Sequence, residues 1–321
     1  MNINKFFTHR LANLFETAII MAALFSILIS IAWLFAGKTG ILLLCIAGVP
    51  ALIFSGAQAG WLVLRMYRAK QLTTRSAPDL LALVAELSRR AELPNIPALF
   101  YIPSTEPLAF SVGFEKNGAI ALSDGLIRLL TWREVVGVVA HEVSHIAGSD
   151  IRVMGIADVA SRMVSAISLA GQILLIFNLP LYIFNEASLP LFPLFIMMLA
   201  PLIMTLLQLA LSRSREYEAD RFAARLTGDP LGLASALERL GKFQHLQLRR
   251  LFIPYGKVEV PSVLRTHPGT NKRIERLVDL AQERESESGI SDIRFETPYQ
   301  ILRGVEAPTR SPRRWFSGVW Y

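Results

Sequence analysis

The chain has 321 residues, 52% of them hydrophobic and 18% charged, with a net charge of +7 and a single cysteine. Soluble domains usually carry about 25% charged residues, so this balance excludes an ordinary soluble globule and a disordered chain. The lone Cys45 excludes a disulfide-stapled secreted domain. No aromatic-interleaved basic patch or Gly-rich loop accompanies the positive charge, so no nucleic-acid partner is expected.

In chain order, one uncharged apolar run lies between Glu16 and Lys38 and a second between Lys38 and Arg65. Each meets the length of about 20 residues that a helix needs to cross a bilayer core. The first is too long for a signal-peptide core, and no small-x-small cleavage site follows it before the second apolar run. Two more uncharged stretches run from Met163 to Asn185 and from Ala187 to Ser212. They contain Gln172, Asn178 and Gln208, with Pro180, Pro190, Pro193 and Pro201, so a buried or re-entrant hairpin is the alternative to two full spans. Lys5 and Arg10 precede the first span, and Arg65, Arg68, Lys70 and Arg75 follow the second. Arg152 and Arg162 precede the third, and Arg213 and Arg215 follow the fourth, whereas the intervening turns carry only Lys38 and Glu186. This positive-inside pattern predicts four crossings in the lipid bilayer, with both termini and all the polar sequence on the cytoplasmic side.

The expected organisation is a transmembrane hairpin over 1–64, a first half of a polar domain over 65–162, a second hairpin over 163–212, and the second half with a basic tail over 213–321. Ser76-Ala-Pro-Asp79 opens a helix, with Leu80, Leu83, Val84 and Leu87 at helical spacing and Pro94 as its stop. Short β-rich runs follow at Leu99–Ile102, Ala109–Phe114 and Ala119–Leu122, and Asn117-Gly118 reads as the turn of a hairpin. Thr131-Trp-Arg-Glu134 has the form of a capping box, and the helix it starts should reach Ala147 and end at Gly148. Helical patterns return at about 214–227, 230–247 and 270–286, and Arg310–Tyr321 reads as a frayed basic, aromatic tail.

The capped helix contains His141-Glu-Val-Ser-His145, an H-E-x-x-H motif. Histidines four apart lie one above the other on a helix, so both rings can reach one zinc ion, and the intervening Glu142 can take a proton from a water held there. One turn earlier, Gly137 leaves room on that face for another element. A third ligand must come from elsewhere. A metzincin would place histidine six residues after His145, where this chain has Ile151, so that subclass is excluded. His245, His267 and the carboxylates of Ser214-Arg-Glu-Tyr-Glu-Ala-Asp220 remain. Glu216 and Asp220 share a helix face with Ala219 and Ala223, suited to packing on the Gly137 side, and one carboxylate could bind metal while the other orients a histidine. Glu218 points roughly 200° away from Glu216.

Val139-Ala-His-Glu-Val-Ser-His145, Ser212-Arg-Ser-Arg-Glu-Tyr-Glu-Ala-Asp220, and Arg265-Thr-His-Pro268 followed by Arg273 resemble the HtpX-type membrane zinc endopeptidases, relatives of the CAAX prenyl endopeptidases. The resemblance runs from the first apolar hairpin to about Leu280. It implies a mainly α integral membrane protein, with two transmembrane helical hairpins and a gluzincin-like α+β catalytic domain containing a small β-sheet. It further implies one Zn²⁺ per chain on His141, His145 and Glu216, with Asp220 supporting a ligand. Glu142 would be the catalytic base, and His267 and Arg273 would face the substrate, His267 at the oxyanion. Residues Ala109, Phe110, Ser111, Val112 and Gly113 would form the strand that holds an extended peptide. The family usually has Asn-Ala-Phe there, where this chain reads Leu108-Ala109-Phe110. The implied setting is the bacterial cytoplasmic membrane, with membrane proteins as substrates and quality control as the role. A zinc hydrolase of a non-peptide substrate and an inactive membrane scaffold are the alternatives.

Overall fold

The structure is a computed structural model and describes residues 3–55, 57–183, 191–251 and 270–287. The described residues fall into two compact units, within 1–59 plus 152–214 and within 60–151 plus 215–321.

The first unit is helical. Helix α1 (Ile3–Ser55) is broken at Ala36 and Gly37, where the backbone leaves helical geometry. The unit also holds most of α6 (Asp150–Ile183) and the larger part of α7 (Leu191–Thr227). Leu24, Leu28 and Ile31 pack with Ala157, Ala160, Val164, Ala200 and Met204, and the small residues let helix backbones approach closely. Large apolar side chains stay exposed elsewhere on the unit, including Phe15, Ile46, Phe177 and Phe192. A surface of that kind suits hydrocarbon and not water.

Three of the described helices are long and apolar enough to cross a membrane, over Leu14–Leu34, Asp150–Phe177 and Phe195–Thr227. The apolar helix Ala36–Ala51 is shorter. The second uncharged run is thus divided, and its last part does other work. Helix α2 (Ala57–Met66) brings Leu64 onto a sheet of the second unit, beside Phe110 and Val112. Gly60 lies so close to Val112 that a Cβ there would stand 2.6 Å from the valine Cβ.

That sheet has four strands, β1 (Lys70–Gln71), β2 (Ala98–Ile102), β3 (Ala109–Val112) and β4 (Ala119–Ser123), in the order β1-β2-β4-β3. Strands β2 and β4 are parallel and the other pairs antiparallel. Alternation sorts the side chains by face. Ala119, Ala121, Phe110 and Val112 meet α2, whereas Leu99, Tyr101, Ile120 and Leu122 enter the main core. The hairpin of β3 and β4 forms where expected, with Val112 opposite Ala119, but Asn117-Gly118 does not make a two-residue turn. The strand stops at Gly113, which takes a left-handed φ of 83°. The reversal then closes further on, where Asn117 N–H donates to the Phe114 carbonyl and its side-chain oxygen accepts from Phe114 N–H. An asparagine side chain substituting for a backbone turn explains why the Asn-Gly signal located the reversal but not its length.

Helix α3 (Pro78–Arg90) buries the predicted Leu80, Leu83, Val84 and Leu87 in the main core, each such side chain contributing roughly 1.5–3 kcal/mol. After β4 comes the short α4 (Asp124–Leu129), capped by the Ser123 side chain. Helix α5 (Trp132–Ala147) follows, with its capping box formed as expected between Thr131 and Glu134. Glu134 also accepts hydrogen bonds from Ser235 and Arg239 on α8 (Pro230–Leu251), so the residue that starts α5 also docks α8. Gly137 allows the same contact, because a Cβ there would lie 2.9 Å from Leu233 N and Cα. The element that uses this gap is therefore α8, and not the Glu216 face. Helix α9 (Thr270–Glu287) packs beside α8, with Leu277 fully buried.

Candidate metal centre

Helix α5 is buried along nearly its whole length, which holds its histidines rigidly. His141 Nε2 and His145 Nε2 lie 3.0 Å apart. Glu216, from the part of α7 that belongs to the second unit, brings its two oxygens 3.4 Å from His141 Nε2 and 3.7 Å from His145 Nε2. Four-coordinate zinc with bonds of about 2.0–2.1 Å separates its ligand atoms by about 3.4 Å. Two imidazoles and a carboxylate at these separations fit a divalent metal of that size. His141, His145 and Glu216 form the one such group of three among the described residues.

Each candidate ligand is held from behind. His141 Nδ1 lies 3.0 Å from Asp220 Oδ1. The Asp220 carboxylate accepts a two-pronged hydrogen bond from Arg273, Nε to Oδ2 at 2.7 Å and Nη2 to Oδ1 at 2.6 Å. Arg273 Nη1 also lies 3.0 Å from Glu216 Oε2, and its side chain is 1% exposed. The guanidinium is thus placed against the acidic pair and the metal-facing side of His141. Glu142 lies between the two histidines in sequence and is buried, 2% exposed. Ala219 and Ala223 are buried on the Glu216 face, while Glu218 is half-buried on another. Strand β3 is one edge of the sheet, and its Ala109 packs against the core that contains α5. Leu108 extends it, its N–H donating to Ser123 Oγ and its carbonyl accepting from Ser123 N–H. His267 lies outside the described residues, as does the side chain of His245.

Burial alone would lower the pKa of His141, but hydrogen bonds to Asp220 and Glu216 outweigh it and hold the value at about 9. For His145, burial and the neighbouring His141 lower the pKa, while Asp150 and Glu216 raise it further than they lower it. A metal cation bound at this site would therefore have to displace protons.

Two residues at the site were not singled out by the sequence. Asp150 Oδ2 lies 2.8 Å from His145 Nδ1, and Arg215 Nη1 lies 3.3 Å from Asp150 Oδ1. The available signal was an aspartate five residues past the motif, just after a Gly-Ser pair. Arg215 was read as a membrane-flanking charge, yet it is buried. The end of α5 also differs in detail: Gly148 is right-handed, at φ −79°, and Ser149 takes the left-handed φ of 54°.

Residues 74–281 match the family model described as Peptidase family M48. A protein described as "Protease HtpX homolog" from Methylibium petroleiphilum (strain ATCC BAA-1232 / LMG 22953 / PM1) is 32% identical over 285 residues, covering 85% of this chain and 99% of that protein. Another of the same description, from Polynucleobacter necessarius subsp. necessarius (strain STIR1), is 34% identical over 286 residues, covering 85% and 98%. Among solved structures, the crystal structure of S. mikatae Ste24p aligns with a TM-score of 0.42 at 17% identity, covering 86% of this chain and 66% of that one. The chain belongs to Peptidase family M48. It is a protease of that family whose relatives are HtpX homologues.

Proposed function

We propose that this protease is a zinc-dependent endopeptidase of the bacterial cytoplasmic membrane that cuts membrane proteins on the cytoplasmic side. The observation that carries the reading is the convergence of His141, His145 and Glu216 beside the buried Glu142. Zinc held by these three ligands would polarise a scissile carbonyl and acidify a water. Glu142 would serve as the base that accepts a proton from the attacking water and as the acid that returns it to the leaving amine. Arg273 holds Asp220 and Glu216 in place, and His267 is assigned to the developing oxyanion. The edge formed by Ala109–Val112 and Gly113 pairs with an extended substrate backbone. Leu108 supplies an apolar side chain where relatives present an amide, so cleavage preference should differ there.

The direct test is casein digestion by the full chain purified in detergent, with its metal content measured. Cleavage should accompany one zinc per chain and stop when a chelator strips it. Zinc-loaded protein with no endopeptidase activity would turn the reading toward a non-peptide substrate, and protein that takes up no zinc toward an inactive scaffold. Membrane-protein quality control is the role that fits this activity, and comparing membrane proteomes with active and inactive protein identifies the substrates.

For topology, the reading keeps four crossings and cytoplasmic termini. Single cysteines at positions 38 and 186 should react with an impermeant reagent from outside intact cells, and at 75 and 290 they should not. Protection at 186 with labelling at 38 would make the second hairpin re-entrant.

A further inference from the structure

We infer that Asp150 is a positioning residue of the metal centre. It fixes the His145 ring with Nε2 toward His141 and Glu216, and it ties that ring to the helix that supplies Glu216. The inference rests on the zinc reading above. An imidazole offers one nitrogen to a metal in a defined direction only when the other carries a hydrogen and donates it to an acceptor. Asp150 Oδ2, 2.8 Å from His145 Nδ1, is that acceptor. The second oxygen, Oδ1, faces Arg215 Nη1 at 3.3 Å, and Arg215 immediately precedes Glu216 on α7. Both side chains are buried, Asp150 at 5% and Arg215 at 8% exposure. One carboxylate thereby links the helix bearing the histidines to the helix bearing the third ligand.

The local backbone is shaped for this contact. Asp150 is the first residue of α6, reached from α5 through Gly148 and Ser149. A Cβ on Gly148 would stand 3.1 Å from Asp150 Oδ1 and 3.3 Å from Oδ2, so the carboxylate lies back over the glycine. Ser149 holds a left-handed φ of 54°, which costs a non-glycine residue roughly 1 kcal/mol or more. Its hydroxyl donates to Glu115 at 2.7 Å, anchoring the turn to the β3–β4 loop. The plainer role for an acid in the first turn of a helix is interaction with the helix N-terminus. That role makes no demand on metal affinity, and the two are separable by experiment.

The test uses the full chain in detergent, with the zinc dissociation constant measured by chelator competition. The visible spectrum of the cobalt form and the thermal unfolding of the metal-free form are recorded beside it. Asp150→Ala should raise the dissociation constant about 10–100-fold and alter the cobalt ligand-field bands. Its metal-free unfolding midpoint should fall as well, because Arg215 loses a buried partner, so the cobalt bands and the Asn variant separate the positioning role from a purely structural one. Asp150→Asn should recover much of the affinity, because its carbonyl oxygen still accepts from Nδ1–H. If Asp150→Ala does not fold, Asp150→Ser decides the matter, since its hydroxyl keeps a polar oxygen in the first turn of α6 but is too short to hold His145 Nδ1, and it should weaken zinc binding in the same direction. A dissociation constant within twofold of wild type in Asp150→Ala or Asp150→Ser, with unchanged cobalt bands, overturns the inference and leaves the zinc reading intact. Equal losses in the Ala and Asn variants overturn it as well. Wild-type protein that binds no zinc overturns both.

Discussion

Glu142→Ala should abolish casein hydrolysis while the protein keeps its zinc. A positioned general base contributes typically 10²–10⁴ in rate, and here the same carboxylate both takes and returns the proton, so the loss should reach at least the upper part of that range. Zinc should remain because the three donors are His141, His145 and Glu216, whose facing atoms lie within 4.8 Å of one another. The variant should also survive purification uncut if the active protein trims itself. Substantial proteolysis by zinc-loaded Glu142→Ala protein would remove this residue from the reaction.

The second large effect is expected at Glu216. Glu216→Ala should lose zinc and activity together, because its two oxygens are the ones that face His141 and His145. Glu218→Ala, two residues on and on a different face of the helix, should retain both. Asp220→Asn should fall between them, with metal binding weakened about 10–100-fold, since the amide still reaches His141 but no longer offers Arg273 a charged, two-pronged acceptor. Equal zinc content in Glu216→Ala and wild type would send the search for the third ligand to His245 or His267.

Much of this was legible in the residues, for physical reasons. The Thr131–Glu134 box, the apolar stripe of α3 and the two histidines four apart are local signals, and each is set by helix geometry within a few positions. The coming together of α5 and α7 is not local. Spacing placed Glu216 and Asp220 on one small-residue face and made them candidates for the missing ligand, and the resemblance assigned that place to Glu216. Gly137 shows the limit clearly: the need for a close neighbour was legible, but the neighbour proved to be Leu233 of α8. The second apolar run misled in a different way. Hydropathy cannot distinguish lipid from the underside of a sheet, so Leu64 counted as span while it packs on Phe110 and Val112. Asp150 and Arg215 were missed because membrane-flank charges are read by sign and count, and a buried ion pair hidden among them leaves no periodic trace.

The contact between Asp150 and Arg215 also bears on how the protein could be cut. Residue 151 is the last of the second unit before the excursion through 152–214, and Arg215 is the first after it. Since the side chains flanking the excursion meet at 3.3 Å, the chain leaves and re-enters the catalytic unit through neighbouring points. A four-residue Gly/Ser linker spans about 11 Å on average, enough to rejoin such ends. The second apolar pair is thus built like an insertion, spliced into a unit whose candidate metal ligands all lie outside the excised stretch. A miniaturised enzyme that drops this pair would keep His141, His145, Asp150 and Glu216 in their original order.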